Sequence, residues 1–222
     1  QKPPPKQILN DEQLDTFMAA IQADDIWRDF FYTELTTGLR LGEICGLRWE
    51  DFDAEHGVLN IQRTVHVEKG GVLTAGDTKT YAGTRKIVLP ASTVQCLRER
   101  KEATLTDWIF PNLLKPEYPV NPRTAYSRLK ALLKDTGLPS IRFHDLRHTF
   151  STHALSSGVD AKTLSGILGH SRASFTLDTY THVTGDMQKR ASEVVGDFLT
   201  ELLGEELKPW QNAENGAAAA SA

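Results

Sequence analysis

The chain opens with apolar residues at helical spacing, interrupted by residues that cap or end helices. Asn10 is placed to cap a first helix with an acidic opening turn, Asp11-Glu12. Apolar residues then recur at helical spacing: Leu14, Phe17, Met18 and Ile21. The pattern predicts a second helix from about Asp25 to Gly38, and a short third helix headed by Arg40.

The middle of the chain changes to short runs rich in β-branched residues. Residues 58–61, 65–67 and 87–89 are such runs, with glycines between the second and the third, and they predict a small antiparallel sheet of about three strands. Lys79 and Arg85 are predicted in the turn region just before the last of these strands.

Helical spacing returns after the last strand. Helices are predicted at about 92–103, at 122–135, from about His144, at 160–168, around Tyr180 and at 186–204. The 122–135 helix is expected to turn Tyr126, Leu129, Leu132 and Leu133 inward. The expected fold is therefore mainly α with a small antiparallel β-sheet. Residues 1–7, rich in proline, are predicted to be a linker from a preceding region, residues 8–205 the main domain, and residues 206–222 a disordered tail.

Net charge and cysteine content narrow the functional class. The formal net charge is −4, and seven acids against three bases in residues 181–222 account for all of it. Residues 79–147 carry 13 Lys and Arg against six Asp and Glu, so this segment suits a polyanionic partner. No apolar run is long enough for a membrane span. Cys45 and Cys96 are predicted to be buried, reduced thiols of a cytoplasmic protein, and a disulfide between them is the alternative.

Two segments contain the candidate chemistry. In His144-Asp145-Leu146-Arg147, the imidazole and the guanidinium are three residues apart on one helix face and can meet at one anion. In Leu168-Gly169-His170, the glycine is predicted to end a helix and to place His170 in the following turn, ten residues before Tyr180. Together with Arg40 and Lys79, these residues suit phosphoryl transfer without a metal or another cofactor.

The same residues resemble the motifs of tyrosine recombinases, the phage integrase family. Thr37-Gly38-Leu39-Arg40-Leu41-Gly42-Glu43 resembles the first arginine motif, and residues 144–150 resemble the HxxR motif. Leu168-Gly169-His170, with Tyr180 downstream, resembles the closing segment of that family. The integrases of conjugative transposons and phages are the most similar branch.

The resemblance implies a role for each catalytic candidate. Tyr180 would attack the scissile phosphate, Arg40 and Arg147 would bind its non-bridging oxygens, and Lys79 would protonate the 5′-oxygen. His144 would act in proton transfer and His170 would hydrogen-bond the phosphate. Glu43 and Asp145 are expected to orient these groups.

The resemblance also implies a DNA-binding region before the 1–7 linker, and it implies partners. They are double-stranded DNA, a homotetramer on paired sites and an accessory directionality factor. The 186–204 helix would dock either on its own domain or on a neighbouring subunit. The expected phosphate contacts are Arg85, Arg123, Lys130, Lys134 and Arg142.

Other interpretations of the same residues remain open. Tyr180 alone would be a core aromatic residue, Arg40 an exposed residue near a helix terminus, and Arg147 a surface ion-pair partner. Lys79 would be a solvated turn lysine, and Glu43 and Asp145 would be helix caps. For the whole chain, the alternatives are a type IB topoisomerase, which rejoins the same strand, or a catalytically inactive DNA-binding regulatory domain.

Overall fold

The computed structural model describes residues 7–77 and 84–169, all within a compact unit that spans residues 1–181. The helices are α1 (Asp11–Gln22), α2 (Arg28–Thr37), α3 (Leu41–Cys45), α4 (Ala91–Glu102), α5 (Pro122–Asp135), α6 (Phe143–Ser156) and α7 (Ala161–Leu168). The strands are β1 (Phe52–Asp53), β2 (Val58–Ile61), β3 (Arg63–Val67), β4 (Leu73–Asp77) and β5 (Arg85–Val88). The mainly helical fold class predicted from the sequence is confirmed.

Local capping explains where the first helices begin and end. Asn10 caps α1 as expected, and Gln13 completes a capping box by accepting from the Asn10 main-chain N–H. The second helix begins three residues later than predicted, because the Asp24 carboxylate accepts from the N–H groups of residues 26 and 27 and holds them in a turn. It ends at Gly38, whose φ of 60° lies in the left-handed region.

The predicted single sheet is wrong in detail, because the strands form two sheets. One has three strands in the order β1-β2-β5, and the other is the β3-β4 hairpin; both are antiparallel. The run at 65–67 pairs with β4, whose sequence Leu-Thr-Ala-Gly-Asp has little β-propensity and gave no strand signal. Arg85 lies in β5, paired with Ile61, and not in a turn.

An aromatic cluster on α2 forms the centre of the core. Phe30 and Phe31 are at most 1% exposed and contact rings from α1, α6 and the segment before α5: Phe17, Phe143 and Phe110. Most of these contacts are edge-to-face, the arrangement that ring quadrupoles favour. The cluster packs α2 against α6. The α2 helix leads into the first arginine motif, and α6 carries the second.

The remaining predictions fall partly inside the described residues. Cys45 is buried as predicted, Cys96 is only partly buried, and both are free thiols. None of the described helices has the length and apolar character needed to cross a membrane. The predicted linker at 1–7 lies outside the described residues except for residue 7, and the helix around Tyr180, the 186–204 helix and the tail lie wholly outside them.

Candidate active site

Three guanidinium groups converge on the carboxyl end of α7. The last carbonyls of a helix lack partners within it and carry partial negative charge. Gly169, at φ 65°, directs its N–H to the carbonyls of residues 165 and 166. Each following carbonyl accepts from a different arginine: Ile167 from Arg85 Nε (2.6 Å), Leu168 from Arg147 Nη2 (2.6 Å) and Gly169 from Arg40 Nη2 (3.3 Å). The structure therefore brings Arg40 and Arg147 together at the end of α7. His170 is the next residue in the sequence.

Gly38 allows the close approach of the first arginine segment to α6. Its carbonyl accepts from Arg147 Nη1 at 2.7 Å, and a Cβ at this position would collide with the ring of Phe150. The left-handed φ of Gly38 also turns the chain from α2 into the start of α3. Arg40 thus lies at the head of α3 with its side chain 42% exposed, accessible to a ligand.

The carboxylate of Glu43 binds the side chains of both Arg40 and Arg85. Its carboxylate accepts from the Arg40 main-chain N–H at 3.0 Å, from Arg40 Nη1 at 2.6 Å and from Arg85 Nη1 and Nη2 at 3.1 and 2.9 Å. Burial opposes ionisation of Glu43, but the hydrogen bonds and charge of Arg85, with those of Arg40, outweigh it and lower its pKa to about 2. Glu43 is therefore an anion that caps α3 and orients Arg40.

Arg147 is a charged side chain in the interior. It is 1% exposed, and burial together with the positive charge of Arg40 lowers its pKa to about 10. It remains protonated at neutral pH, because its pKa is still far above 7. A buried cation interacts more strongly with an anion than an exposed one does, since water screens it less.

His144 lies on the first turn of α6, one turn before Arg147. It stays accessible to solvent, yet partial burial of its ring and the positive charges of Arg147 and Arg40 lower its pKa. Its ring meets that of His148 edge to face at 4.6 Å. A lowered pKa keeps the imidazole neutral at pH 7, the form that can accept a proton.

Asp145 caps α6 and also pairs with Arg142. It is 2% exposed and accepts from the main-chain N–H, Nε and Nη2 of Arg142 at 2.9, 3.0 and 2.8 Å. Burial opposes its ionisation, but these hydrogen bonds lower its pKa. Asp145 therefore fixes the start of the helix that carries His144 and Arg147, whereas Arg142 remains 45% exposed.

Glu34, a fully buried carboxyl group on α2, was not predicted from the sequence. It is 0% exposed, and neither of its oxygens has a hydrogen-bond partner among the described residues. Burial raises its pKa well above the ordinary value, although the charge of Arg147 opposes the shift. Its position four residues after Phe30, on the apolar face of the predicted helix, was the available signal.

The basic residues of α5 fall into two groups. Arg123 and Lys134 are exposed. Lys130 is partly buried, and its ammonium donates to the Ser140 hydroxyl at 2.8 Å and to the carbonyl of residue 141 at 2.7 Å. Tyr126, expected to face inward, is 38% exposed, because Ala125 and the leucines of α5 fill the buried face.

Three of the predicted catalytic residues, Lys79, His170 and Tyr180, lie outside the described residues. Their neighbours in the chain are described. Lys79 follows β4 by two positions, and His170 follows Gly169 directly.

Comparison with known proteins gives a family match over most of the chain. A model of the phage integrase family matches residues 7–186. The chain is 29% identical over 213 residues to a XerC-like tyrosine recombinase of Caldanaerobacter subterraneus, covering 86% of this chain and 54% of that protein. It is 30% identical over 201 residues to the transposase of transposon Tn916 from Enterococcus faecalis, covering 82% of this chain and 49% of that protein. The chain thus spans about half the length of these curated relatives.

Solved structures match the fold. The integrase of transposon Tn1549, in a complex with circular intermediate DNA, is similar with a TM-score of 0.74 at 27% identity, over 88% of this chain and 69% of that one. A crystal structure of the XerA recombinase is similar with a TM-score of 0.66 at 22% identity, over 86% of this chain and 66% of that one. The second likeness concerns the fold alone.

Proposed function

The chain belongs to the phage integrase family, and on this basis we propose that it is the catalytic part of a tyrosine site-specific recombinase that cuts and rejoins DNA. The main support is the convergence of Arg40 and Arg147 on the end of α7, with His144 one turn from Arg147 on α6. Two guanidinium groups and a neutral imidazole suit a phosphodiester better than a carbonyl or sugar substrate, because guanidinium forks match phosphate oxygens. The relatives named above are recombinases, transposases and integrases.

The proposed reaction is a transesterification. The Tyr180 hydroxyl attacks the scissile phosphorus, the bond from phosphorus to the 5′-oxygen breaks, and a 3′-phosphotyrosyl link forms. Lys79 gives a proton to the departing 5′-oxygen, and His144 accepts the tyrosine proton or acts in the reverse step. The 5′-hydroxyl of a partner strand then attacks the phosphotyrosine, which restores the phosphodiester without ATP or a metal.

Arg40 and Arg147 are proposed to stabilise the charge that develops on the phosphoryl oxygens. Arg40 is open to solvent and held by Glu43, so it can meet the phosphate without reorganising. Arg147 provides a second positive charge, which is buried. His170 is proposed to donate a further hydrogen bond to the phosphate. Asp145 is proposed to position His144 and Arg147 by capping the start of α6.

DNA is the proposed partner, with exposed cations around α5 contacting its phosphates. Arg123, Lys134 and Arg142 are exposed and suit this role. Lys130 is a weaker candidate, since its ammonium donates to two groups of the protein itself. A homotetramer on paired DNA sites, an accessory directionality factor and action on DNA in the cytoplasm or nucleoid complete the proposal.

The proposed domain organisation is a catalytic domain at 8–205, with a linker before it and a tail at 206–222. Within that domain, the 186–204 helix is a candidate for docking on the same or a neighbouring subunit.

Detection of a covalent adduct tests the function. The chain is incubated with a pool of randomised duplexes that carry a nick, so that cleavage releases a short fragment and traps the adduct. The expected result is a DNA adduct that survives denaturation and maps to Tyr180 by mass spectrometry. Tyr180→Phe should abolish it, and the exposed Tyr118→Phe should not. No adduct from the unmodified chain, or an adduct on another residue, would contradict the proposal.

A second assay separates strand exchange from simple relaxation. Two duplexes of different length that carry the selected sequence are mixed with the chain. Recombinant products of intermediate length are expected from a recombinase. Relaxation of a supercoiled plasmid without recombinant products would instead indicate a topoisomerase.

A further inference from the structure

Arg85 is an interior residue and not a surface cation. It lies on β5, and its side chain is 7% exposed, whereas that of Arg40 is 42% exposed. Phosphate contacts are usually made by exposed cations, because the backbone of duplex DNA approaches from solvent. Burial alone does not decide the role, because Arg147 is buried too. The partners do: all three guanidinium nitrogens of Arg85 donate within the protein, two of them to the Glu43 carboxylate, whereas Arg147 donates to the neutral carbonyls of Gly38 and Leu168.

The first set of contacts links Arg85 to Arg40 through one carboxylate. Both terminal nitrogens of Arg85 donate to Glu43, one to each oxygen, at 3.1 and 2.9 Å. The same two oxygens accept from the side chain and the main-chain N–H of Arg40. Because a bidentate pair fixes the plane of the carboxylate, the position of Arg85 determines where Glu43 can hold the Arg40 guanidinium.

The second contact links Arg85 to the end of α7. Its Nε donates to the carbonyl of Ile167 at 2.6 Å, one residue before the carbonyl that Arg147 holds and two before the one that Arg40 holds. Arg85 is thus joined to both sides of the candidate site: to Arg40 through α3, and to the α7 end that leads into His170.

We propose that Arg85 is a positioning residue for DNA cleavage, which sets Arg40 through Glu43 and fixes the end of α7 relative to it. This role rests on the proposed function. Arg85 does not contact the DNA, and its contribution lies in the geometry of the groups that do. A displacement of about 1 Å at a reacting centre can reduce the rate roughly 10²-fold, so the contribution is measurable.

Arg100 is a matched control elsewhere in the fold. Its Nη1 donates to the Asp29 carboxylate at 3.1 Å and its Nε to the carbonyl of Ile109 at 2.7 Å, and the side chain is 19% exposed. Arg100 therefore has the same kinds of partner as Arg85, a carboxylate and a main-chain carbonyl. It joins α4 to α2 and to the segment before α5, away from the arginine cluster.

The test compares Arg85→Ala and Arg100→Ala on the nicked duplex that gives the most adduct in the randomised pool. Single-turnover adduct formation and the Kd for the same duplex are measured at a temperature where circular dichroism shows both variants folded. For Arg85→Ala we expect cleavage about 10²-fold slower with Kd within roughly twofold. For Arg100→Ala we expect both values to stay within roughly twofold of the unmodified chain.

A double variant tests the route through Glu43. Glu43→Gln combined with Arg85→Ala should cleave hardly more slowly than Arg85→Ala alone, because residues that act as one unit are not additive. Fully multiplicative effects would overturn the route through Glu43. If Arg85→Ala does not fold, Arg85→Lys decides the matter, since lysine cannot make the bidentate pair. Slower cleavage at an unchanged Kd supports the proposal, and cleavage at the unmodified rate overturns it.

The outcomes separate this inference from the proposed function. If the unmodified chain forms no adduct at Tyr180, both proposals fail. If it does, and Arg85→Ala cleaves equally fast, only the role of Arg85 fails. A weaker Kd for Arg85→Ala with a shallower salt dependence would also overturn that role, because it would identify Arg85 as a phosphate contact.

Discussion

The protonation state of Glu34 tests the electrostatics of the buried charged groups of the candidate site. Its carboxyl group is fully buried on α2, without a hydrogen-bond partner among the described residues, in the field of Arg147, Arg85 and Glu43. Burial raises its pKa well above the ordinary value of 4.5. We therefore expect Glu34 to be a neutral acid at pH 7, and its replacement by the unbranched apolar side chain of methionine to stabilise the fold.

The neutral and the ionised states of Glu34 predict opposite changes in the free energy of unfolding for Glu34→Met. A buried polar group without a partner costs about 1–3 kcal/mol, so removing a neutral acid in Glu34→Met should raise the free energy of unfolding by about that amount. For a chain of this size, this corresponds to roughly 2–4 °C in Tm per kcal/mol. An ionised Glu34 paired with Arg147 would behave differently, since removing one partner of a buried ion pair costs about 3–5 kcal/mol.

The pH dependence of stability follows from the same shift. The pKa of Glu34 is higher in the folded than in the unfolded chain, so its contribution is fully present below about pH 4.5 and is lost as pH rises through the folded value. The advantage of Glu34→Met over the unmodified chain should therefore grow from mildly acid to mildly alkaline pH. Glu34→Gln keeps the shape of the neutral acid and cannot ionise, so it should match the unmodified chain at acid pH and exceed it at alkaline pH.

Urea unfolding followed by far-UV circular dichroism measures these differences at about pH 5 and about pH 8. An unchanged m-value would indicate that the variants differ in stability and not in the extent of unfolding. A loss of several kcal/mol for Glu34→Met at the higher pH would refute the neutral acid, and would indicate an ion pair with Arg147.

Two further predictions concern packing and DNA contacts. Gly42→Ala should lower the free energy of unfolding by about 1–3 kcal/mol in thermal or urea unfolding, because its Cβ would lie 2.6 Å from the carbonyl oxygen of Val65 on β3; unchanged stability would refute this contact. Arg123→Ala and Lys134→Ala should each reduce the slope of log K against log salt for duplex DNA by about 1, whereas Lys130→Ala should leave the slope unchanged and lower stability. Equal slopes for all three variants in a fluorescence-anisotropy titration would contradict the division of α5 into exposed and internal cations.

Local signals made much of the fold predictable. The Asn10 cap, the Gly38 stop and the Gly169 stop each depend on one side chain, or on its absence, within a few residues of the helix end. The resemblance to the recombinase motifs also indicated that Arg40, Glu43, His144 and Arg147 would lie close to one another. Arg40, Glu43, His144 and Arg147 lie together in the described structure, as their motifs indicated.

The predictions that failed depended on partners far away in the chain. Packing against other elements decides which strand pairs with β3. The sequence of β4 has too little β-propensity for a strand to be predicted there. The burial of Tyr126 was misjudged because the helical period alone does not say how far the covered face extends.

The sequence by itself determined most of the described helices and several of their caps, because these follow from short-range periodicity and side-chain chemistry. Only the tertiary structure decided which groups the charged residues of the candidate site contact. Arg85 reaches Glu43 and Ile167 across 42 and 82 positions, and Arg40 reaches Gly169 across 129. No local pattern encodes such contacts, since they exist only once α3, β5, α6 and α7 have packed. Packing therefore made Arg85 an interior residue and left Arg40 accessible, although both are arginines in polar segments of the chain.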